Sequence, residues 1–245
     1  EAKKLSSNDS PQTEEERKEM KNIPYRSIVG SLQYITLSTR PDIAFAVNQL
    51  SRHMENAGPT HWTASKRVLR YLKGTSDTGL LYKDYNQNKS TRIEIFCDAD
   101  WGGDTVDRKS TTGILIKLNG CVITWLSKKQ STVSLSTAEA EYIAIATAMQ
   151  ELIWLNQLLE ELNLKDKQVA TILSDNQAAI AISNNDVNHT RSKHIDIKYH
   201  FIREVLNKKQ VELIWISTKD QQADINTKAL DGTTYKRLRE KIMSK

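Results

Sequence analysis

Three strand-like segments in immediate succession constrain this chain most: RIEIFCDADW from Arg92, TTGILIKLN from Thr111 and CVITWLSKK from Cys121. Each is rich in β-branched and aromatic residues, and Asn119-Gly120 between the last two is a strong hairpin signal. Three antiparallel strands follow. Beyond them a long amphipathic helix is predicted, with Tyr142, Ile145, Met149, Leu152, Leu155, Leu159 and Leu162 recurring at helical spacing and Ser136 with Glu139 forming a capping box at its start. The remainder alternates: strand VATILS, a helix from Asn176, a longer helix around HIDIKYHFIREVL, strand VELIWIS, and a last helix from about Gln222. Strands followed by alternating helices and strands predict an α/β fold, a mixed sheet with helices against it.

Upstream the pattern is helical. Ile28, Val29, Leu32 and Ile35 form one apolar stripe, and Ile43, Val47, Leu50 and Met54 form another after Arg40-Pro41-Asp42, where Pro41 suits a first helical turn. A third helix is expected between Thr60 as N-cap and Gly74 as stop, with Trp62, Val68, Leu69 and Leu72 available for packing. Its other face carries Lys66, Arg70 and Lys73 at helical spacing with Arg67 beside them; a solvated face and a phosphate-tracking face both account for this. Residues 1–23 are polar and charged with almost no apolar anchor and predict a mobile linker without a core.

The 245 residues suffice for one large or two small domains with a real core. A net charge of +5 favours a polyanionic partner without requiring one. Cys97 and Cys121 lie in apolar strand-like segments with no metal-ligand spacing, which predicts buried reduced thiols and a reducing compartment. No apolar stretch approaches the roughly 20 residues that span a bilayer, and no signal peptide opens the chain, so a soluble protein without membrane attachment is expected.

Four carboxylates stand out against this background: Asp98, Glu141, Asp175 and Asp224. Three of them interrupt or terminate apolar segments, where an ionised group is costly unless cations or hydrogen bonds compensate it. The set suggests a divalent-metal site. Asp98 follows Ile95-Phe96-Cys97, whereas Asp100 and Asp104 enter the Trp101-Gly102-Gly103 turn, where Asp is ordinary. Glu139 has a capping role, and Glu141 has no local partner to explain it. Asp175 has the N-cap of the helix that follows as its alternative role, and Asp224 that of a first-turn Asp complementing a helix dipole.

Longer motifs place the chain in a family. FCDADWGGD, RKSTTG, WLSKKQSTVSLSTAEAEYIA, SDNQAAIAIS, RSKHIDIKYHFIRE and QQADINTKAL resemble the ribonuclease H domain of copia-type LTR retrotransposon Pol polyproteins. PYRSIVGSLQYI, TRPDIAFAVNQLSR and HWTASKRVLRYLKGT resemble the segment just upstream in those polyproteins, corresponding to the reverse transcriptase thumb. The resemblance implies a ribonuclease H-like five-stranded mixed sheet with flanking helices, preceded by a small helical thumb-like segment. The implied division is a linker over 1–23, the thumb-like segment over 24–91, the ribonuclease H domain over 92–235 and a basic tail over 236–245.

The same resemblance implies that Asp98, Glu141, Asp175 and Asp224 hold two Mg²⁺ ions, with Mn²⁺ as a substitute, and that the RNA strand of an RNA–DNA hybrid is cut to leave a 3′-hydroxyl and a 5′-phosphate. Hard oxygen ligands suit such ions, and clustered carboxylates repel until cations neutralise them. Ser136, Thr137 and Asn176 are candidates for hybrid contacts beside Glu141. Arg108, Lys109 and Ser110 are candidates for backbone phosphate, as are Lys66, Arg70 and Lys73 on the thumb-like helix and the Tyr235–Arg239 run. No YxDD-like motif occurs, so the polymerase centre is expected in the upstream fingers and palm of the same polyprotein, and the setting in cytoplasmic virus-like particles. An integrase-type nuclease needs Glu last in the acidic order, whereas here it stands second; a noncatalytic nucleic-acid-binding scaffold is the other alternative. One departure from cellular ribonucleases H is the loop STKDQQ at 217–222, which lacks their histidine; His194 and His200 are the nearest substitutes, and their spacing with Asp196 suggests metal binding less well than a polar helix face or nucleic-acid contact.

Overall fold

The computed structural model describes residues 5–83, 91–164, 168–184, 193–209 and 211–244. Strands β1 (Ile93–Asp100), β2 (Thr111–Leu118) and β3 (Cys121–Lys129) form an antiparallel meander. Asn119 and Gly120, with φ of 51° and 82°, make the tight turn that closes the β2–β3 hairpin. Strands β4 (Ala170–Ser174) and β5 (Val211–Trp215) extend the sheet beyond β1, β4 parallel to β1 and β5 parallel to β4. The order is β3-β2-β1-β4-β5.

Side chains alternate along β1 and so divide two cores. Ile93, Ile95, Cys97 and Ala99 pack under helix α5 (Thr137–Glu161), together with α6 (Gln177–Asn184) and α7 (Lys193–Asn207). Ala140, Ala144 and Ala148, spaced one turn apart and wholly buried, let α5 approach the sheet closely. Phe96 faces the other way, against Leu115, Val122, Leu173, Ala223 and Ile225. Helix α8 (Gly232–Ile242) closes this second core with Leu238 and Ile242. The expected basic tail over 236–245 is therefore a packed helix as far as Ile242: its Leu and Ile at positions 238 and 242 make one apolar stripe, hidden in sequence among five charges.

The upstream segment has its own core. Helices α2 (Tyr25–Ser38), α3 (Ala44–Ser51) and α4 (Pro59–Gly74) enclose Tyr25, Val29, Leu32, Ile43, Val47, Leu50 and Val68. A single helical turn at Pro41–Ile43 joins α2 to α3, and its buried Arg40–Asp42 pair is tied to α4 by Thr75 and by the Tyr71 hydroxyl, 2.6 Å from Asp42 Oδ2. Helix α4 starts at Gly58 as N-cap, not Thr60; the Gly58 amide donates to His61 Nδ1 at 2.9 Å, the return bond of a capping box made by a ring nitrogen three residues on.

Residues 5–23 are not a bare linker. A short helical turn at Ser7–Asp9 and helix α1 (Glu14–Lys21), the latter opened by a Thr13–Glu16 capping box, precede α2, and the Ser7–Asp9 turn lies against α4. Leu5 touches the helical core, and Ser10 Oγ donates to Asn56 O at 2.8 Å. A Cβ on Gly58 would lie 2.0 Å from Asp9 O, so the close approach requires glycine. Caps and backbone contacts hold this stretch, and apolar periodicity cannot report them.

Contacts also cross the expected boundary near residue 91. Trp125 Nε1 donates to Thr36 O at 2.9 Å, Tyr235 Oη to Asp42 O at 2.9 Å, and Gly79 pairs with Ser244 through two backbone hydrogen bonds. Among the described residues no helix is long and apolar enough to cross a membrane. Cys97 and Cys121 are buried free thiols.

Candidate metal centre

Asp98 stands near the carboxyl end of β1, Asp175 directly after β4, and Glu141 in the second turn of α5. The carboxyl ends of adjacent parallel strands form the crevice where open α/β sheets place ligands. One carboxylate oxygen from each of the three lies within 4.8 Å of the others. Asp98 and Glu141 are 2% and 5% exposed, so water does little to screen their repulsion. The Ala99 amide donates to Glu141 Oε1 at 3.1 Å, while Oε2 is buried with no hydrogen-bond partner. Burial and the charges of Asp98 and Asp175 push the Glu141 carboxyl well above the usual range. A buried, orphaned carboxylate oxygen facing two further acids, with only oxygen donors present, fits a hard divalent cation.

Asp175 is free for this role because Asn176 caps α6, its Oδ1 accepting from the Ala179 amide at 2.9 Å. The Asp175 carboxylate is steadied by the Thr218 hydroxyl at 2.7 Å. Glu139 is engaged elsewhere: its Oε2 accepts from the Leu135 amide at 2.9 Å, while Ser136 Oγ accepts from the Glu139 amide at 3.1 Å. The expected capping box is thus half formed, its return bond reaching one residue further back. Asp104 is a structural acid bound to Lys129, Arg52 and two loop amides.

Asp224 lies outside the triad and not in the first turn of a long helix. It sits in a short 3₁₀ segment, Gln222–Asn226, eight residues before α8 begins at Gly232. Gln221 Nε2 donates to Cys97 O at 2.9 Å and Asn226 Nδ2 to Ile114 O at 3.0 Å, anchoring this turn on the sheet. It can come so close because Gly113 pairs with Asp98 in the β1–β2 ladder; a Cβ there would meet Thr227 Cγ2 at 2.5 Å and Ala223 O at 2.9 Å. The turn delivers three groups to Asp98. The Thr227 hydroxyl donates to Asp98 Oδ2, and Lys228 Nζ lies 3.6 Å from Asp98 Oδ2 and 2.8 Å from Asp224 Oδ1. Burial and Asp98 push the Asp224 carboxyl up to about 7 against the opposing pull of Lys228. Lys228 is driven upward by Asp98 and Asp224, which together outweigh its own burial.

Of the expected substrate contacts, Thr137 and Asn176 line the acidic cleft with Trp101, Gln177, Trp215 and Lys228. Ser136 is exposed and occupied as the α5 cap. Ser110 does not face substrate: it is wholly buried, and its Oγ accepts from the Gly102 amide at 3.1 Å. Arg108 is exposed and Lys109 half-buried on the same β1–β2 loop. Lys66, Arg70 and Lys73 lie exposed on α4, and none of them lines the acidic cleft; Lys66 Nζ rests 5.3 Å from the Trp62 ring centre. Arg67 and Arg70 border a cavity of 1040 Å³ between α3, α4 and the 3₁₀ turn, which meets the acidic cleft at Asp100 and Lys228. His200 is exposed and lines neither space; the side chains of His194 and Asp196 lie outside the described residues. Lys228, Thr227, Trp101 and Trp215 were not singled out from sequence. Lys228 alone left a signal, four residues after Asp224, the spacing at which helical side chains meet.

The meander, the two parallel strands beyond it and acids at the carboxyl ends of β1 and β4 define a ribonuclease H-like module. No family model matches the chain. It is 42% identical over 239 residues, 98% of its length, to the retrovirus-related Pol polyprotein from transposon TNT 1-94 of Nicotiana tabacum. It is 43% identical over 218 residues, 89% of its length, to that from transposon RE2 of Arabidopsis thaliana. It spans 18% and 15% of these two relatives. Over most of its length the chain is homologous to copia-type retrotransposon Pol polyproteins. Among solved structures, a foamy viral protease-reverse transcriptase in complex with double-stranded DNA matches 84% of this chain and 35% of its own at a TM-score of 0.50 and 13% identity. LC11-RNase H1 matches 56% of this chain and 92% of its own at a TM-score of 0.43 and 16% identity.

Proposed function

We propose that this chain is a divalent-metal-dependent ribonuclease H, hydrolysing the RNA strand of RNA–DNA hybrids during reverse transcription of its element. The observation that carries the proposal is the Asp98–Glu141–Asp175 cluster with its orphaned, buried Glu141 Oε2. Two Mg²⁺ or Mn²⁺ ions bound by Asp98, Glu141, Asp175 and Asp224 would activate water and stabilise the leaving 3′ oxygen. The chain's own groups do the rest. The Ala99 amide and Thr218 hydroxyl orient Glu141 and Asp175, and Thr227 fixes Asp98. Lys228 neutralises the Asp98–Asp224 corner and must give way for Asp224 to serve as a ligand. Thr137 and Asn176 border the cleft where 2′-hydroxyls of an RNA strand would be read. The upstream fingers and palm of the same polyprotein would deliver the hybrid, within virus-like particles in the cytoplasm.

One observation favours a second reading. Lys228 already compensates two of the four acids, as suits a noncatalytic hybrid-binding domain. A hybrid labelled on its RNA strand separates the two. Cleavage in Mg²⁺ or Mn²⁺ and none in chelator is the expected result; binding with the RNA left intact in both metals would establish the noncatalytic reading instead.

A further inference from the structure

We propose that Arg52, with Asn48, makes the helical segment a positioning element for the nuclease, holding the β1–β2 loop (residues 101–110) in the shape that receives the hybrid. The inference rests on the ribonuclease reading for the identity of the substrate.

Asn48 and Arg52 are one turn apart at the end of α3 and share a face. Asn48 Nδ2 donates to Ser127 O at 2.8 Å and to Ser127 Oγ at 3.1 Å, fixing α3 across β3. Its Oδ1 in turn accepts from Arg52 Nε at 3.4 Å. Arg52 then spreads its guanidinium over the loop: Nη1 donates to Asp104 Oδ2 at 3.2 Å and Nη2 to Thr111 Oγ1 at 3.1 Å. Thr111 pairs with Asp100 in the ladder, so this second bond is made at the root of the loop.

Asp104 organises the loop. Its Oδ1 accepts from the amides of Val106 and Asp107 at 2.9 and 3.3 Å, and its backbone amide and carbonyl bond to Lys109 and Arg108. Lys129 Nζ reaches its Oδ2 at 2.5 Å from within the nuclease sheet. The side chains of Arg52 and Asp104 are each 13% exposed, so the pair is largely shielded from solvent screening. The loop follows Asp98 closely and carries Trp101 into the acidic cleft; Arg108 and Lys109 lie further along the same loop, the Arg108 guanidinium near Gly102. A group outside the nuclease sheet thus sets the shape of the segment that carries these basic residues. Lysine could satisfy Asp104 but not Asn48 and Thr111 together, because only the planar guanidinium presents donors in three fixed directions.

The test is hydrogen exchange and hybrid affinity on the full chain, comparing wild type, Arg52→Ala and Arg52→Lys, with binding measured in an Asp98→Asn background. Arg52→Ala is expected to speed exchange of the Val106 and Asp107 amides and to weaken hybrid binding, each about tenfold, with Arg52→Lys in between. Exchange in β1 and α5 is expected to stay unchanged, and in the active background KM should rise while kcat stays within about twofold. Unchanged loop exchange in Arg52→Ala overturns the proposal. Faster exchange spread evenly over the sheet also overturns it, in favour of general packing. Exchange is read without substrate, so a wild-type chain that cuts no hybrid would sink the ribonuclease reading while leaving the loop result to be judged by itself.

Discussion

At the scale of single residues, Lys228 and Asp224 govern how this site behaves without metal. A half-buried ammonium between two acids is stabilising only while both acids are ionised and no other cation competes. Replacing it by glutamine leaves Asp98 and Asp224 facing each other uncompensated. Lys228→Gln is expected to lower the metal-free Tm by about 2–8 °C and to show a larger Tm gain on Mg²⁺ addition than wild type. Thermal unfolding in chelator and in Mg²⁺ checks this, and equal metal-induced gains would refute it. The pH dependence has a definite sign. The Asp224 carboxyl lies at about 7 in the fold against an ordinary 3.8, so the folded state binds the extra proton, and stability falls as pH rises from about 4 to about 7. Metal-free protein should therefore unfold at a lower temperature at pH 8 than at pH 5, by a margin that shrinks in Asp224→Asn. Asp98 and Glu141 were legible in sequence because each is an unexplained charge in an apolar run. Local sequence also fits Asp175 to a cap, a role that Asn176 takes on α6, and Lys228 left only its spacing from Asp224, because lysines are common on surfaces and its partner Asp98 is 130 residues away.

At the scale of elements, the 3₁₀ turn over 222–226 matters most, since it carries Asp224 and presents Thr227 and Lys228. Its seat on Gly113 leaves no room for a methyl group. Gly113→Ala should push the turn from the sheet, cost about 1–3 kcal/mol of stability and reduce metal-dependent cleavage by more than about tenfold. Unfolding in denaturant and a cleavage assay would show this, and wild-type values for both would contradict the close-packing argument. The meander, α5 and the parallel strands could be read from periodicity, because each buries a continuous face. The 3₁₀ turn and residues 5–23 could not: their contacts are caps, glycine approaches and side chain to backbone bonds, which leave no repeating apolar pattern.

At the scale of the whole molecule, the helical segment and the sheet meet around a 1040 Å³ cavity bordered by Arg67 and Arg70 and opening beside Lys228. A hybrid running from the acidic cleft along α4 would meet Lys66, Arg70 and Lys73 through its phosphates. Lys66→Ala with Arg70→Ala should weaken hybrid binding and reduce the slope of log affinity against log salt by about 1–2, because each cation that neutralises a phosphate releases about one counterion. An unchanged slope would return this face to the solvated alternative that sequence left open. The central claim remains the metal-dependent cutting of RNA by the acidic cluster. Its most direct test pairs binding with cleavage for Asp98→Asn: the account predicts retained hybrid binding and an RNA-strand cleavage rate in Mg²⁺ at least about 10³-fold below wild type, and equal cleavage by the two proteins would contradict it.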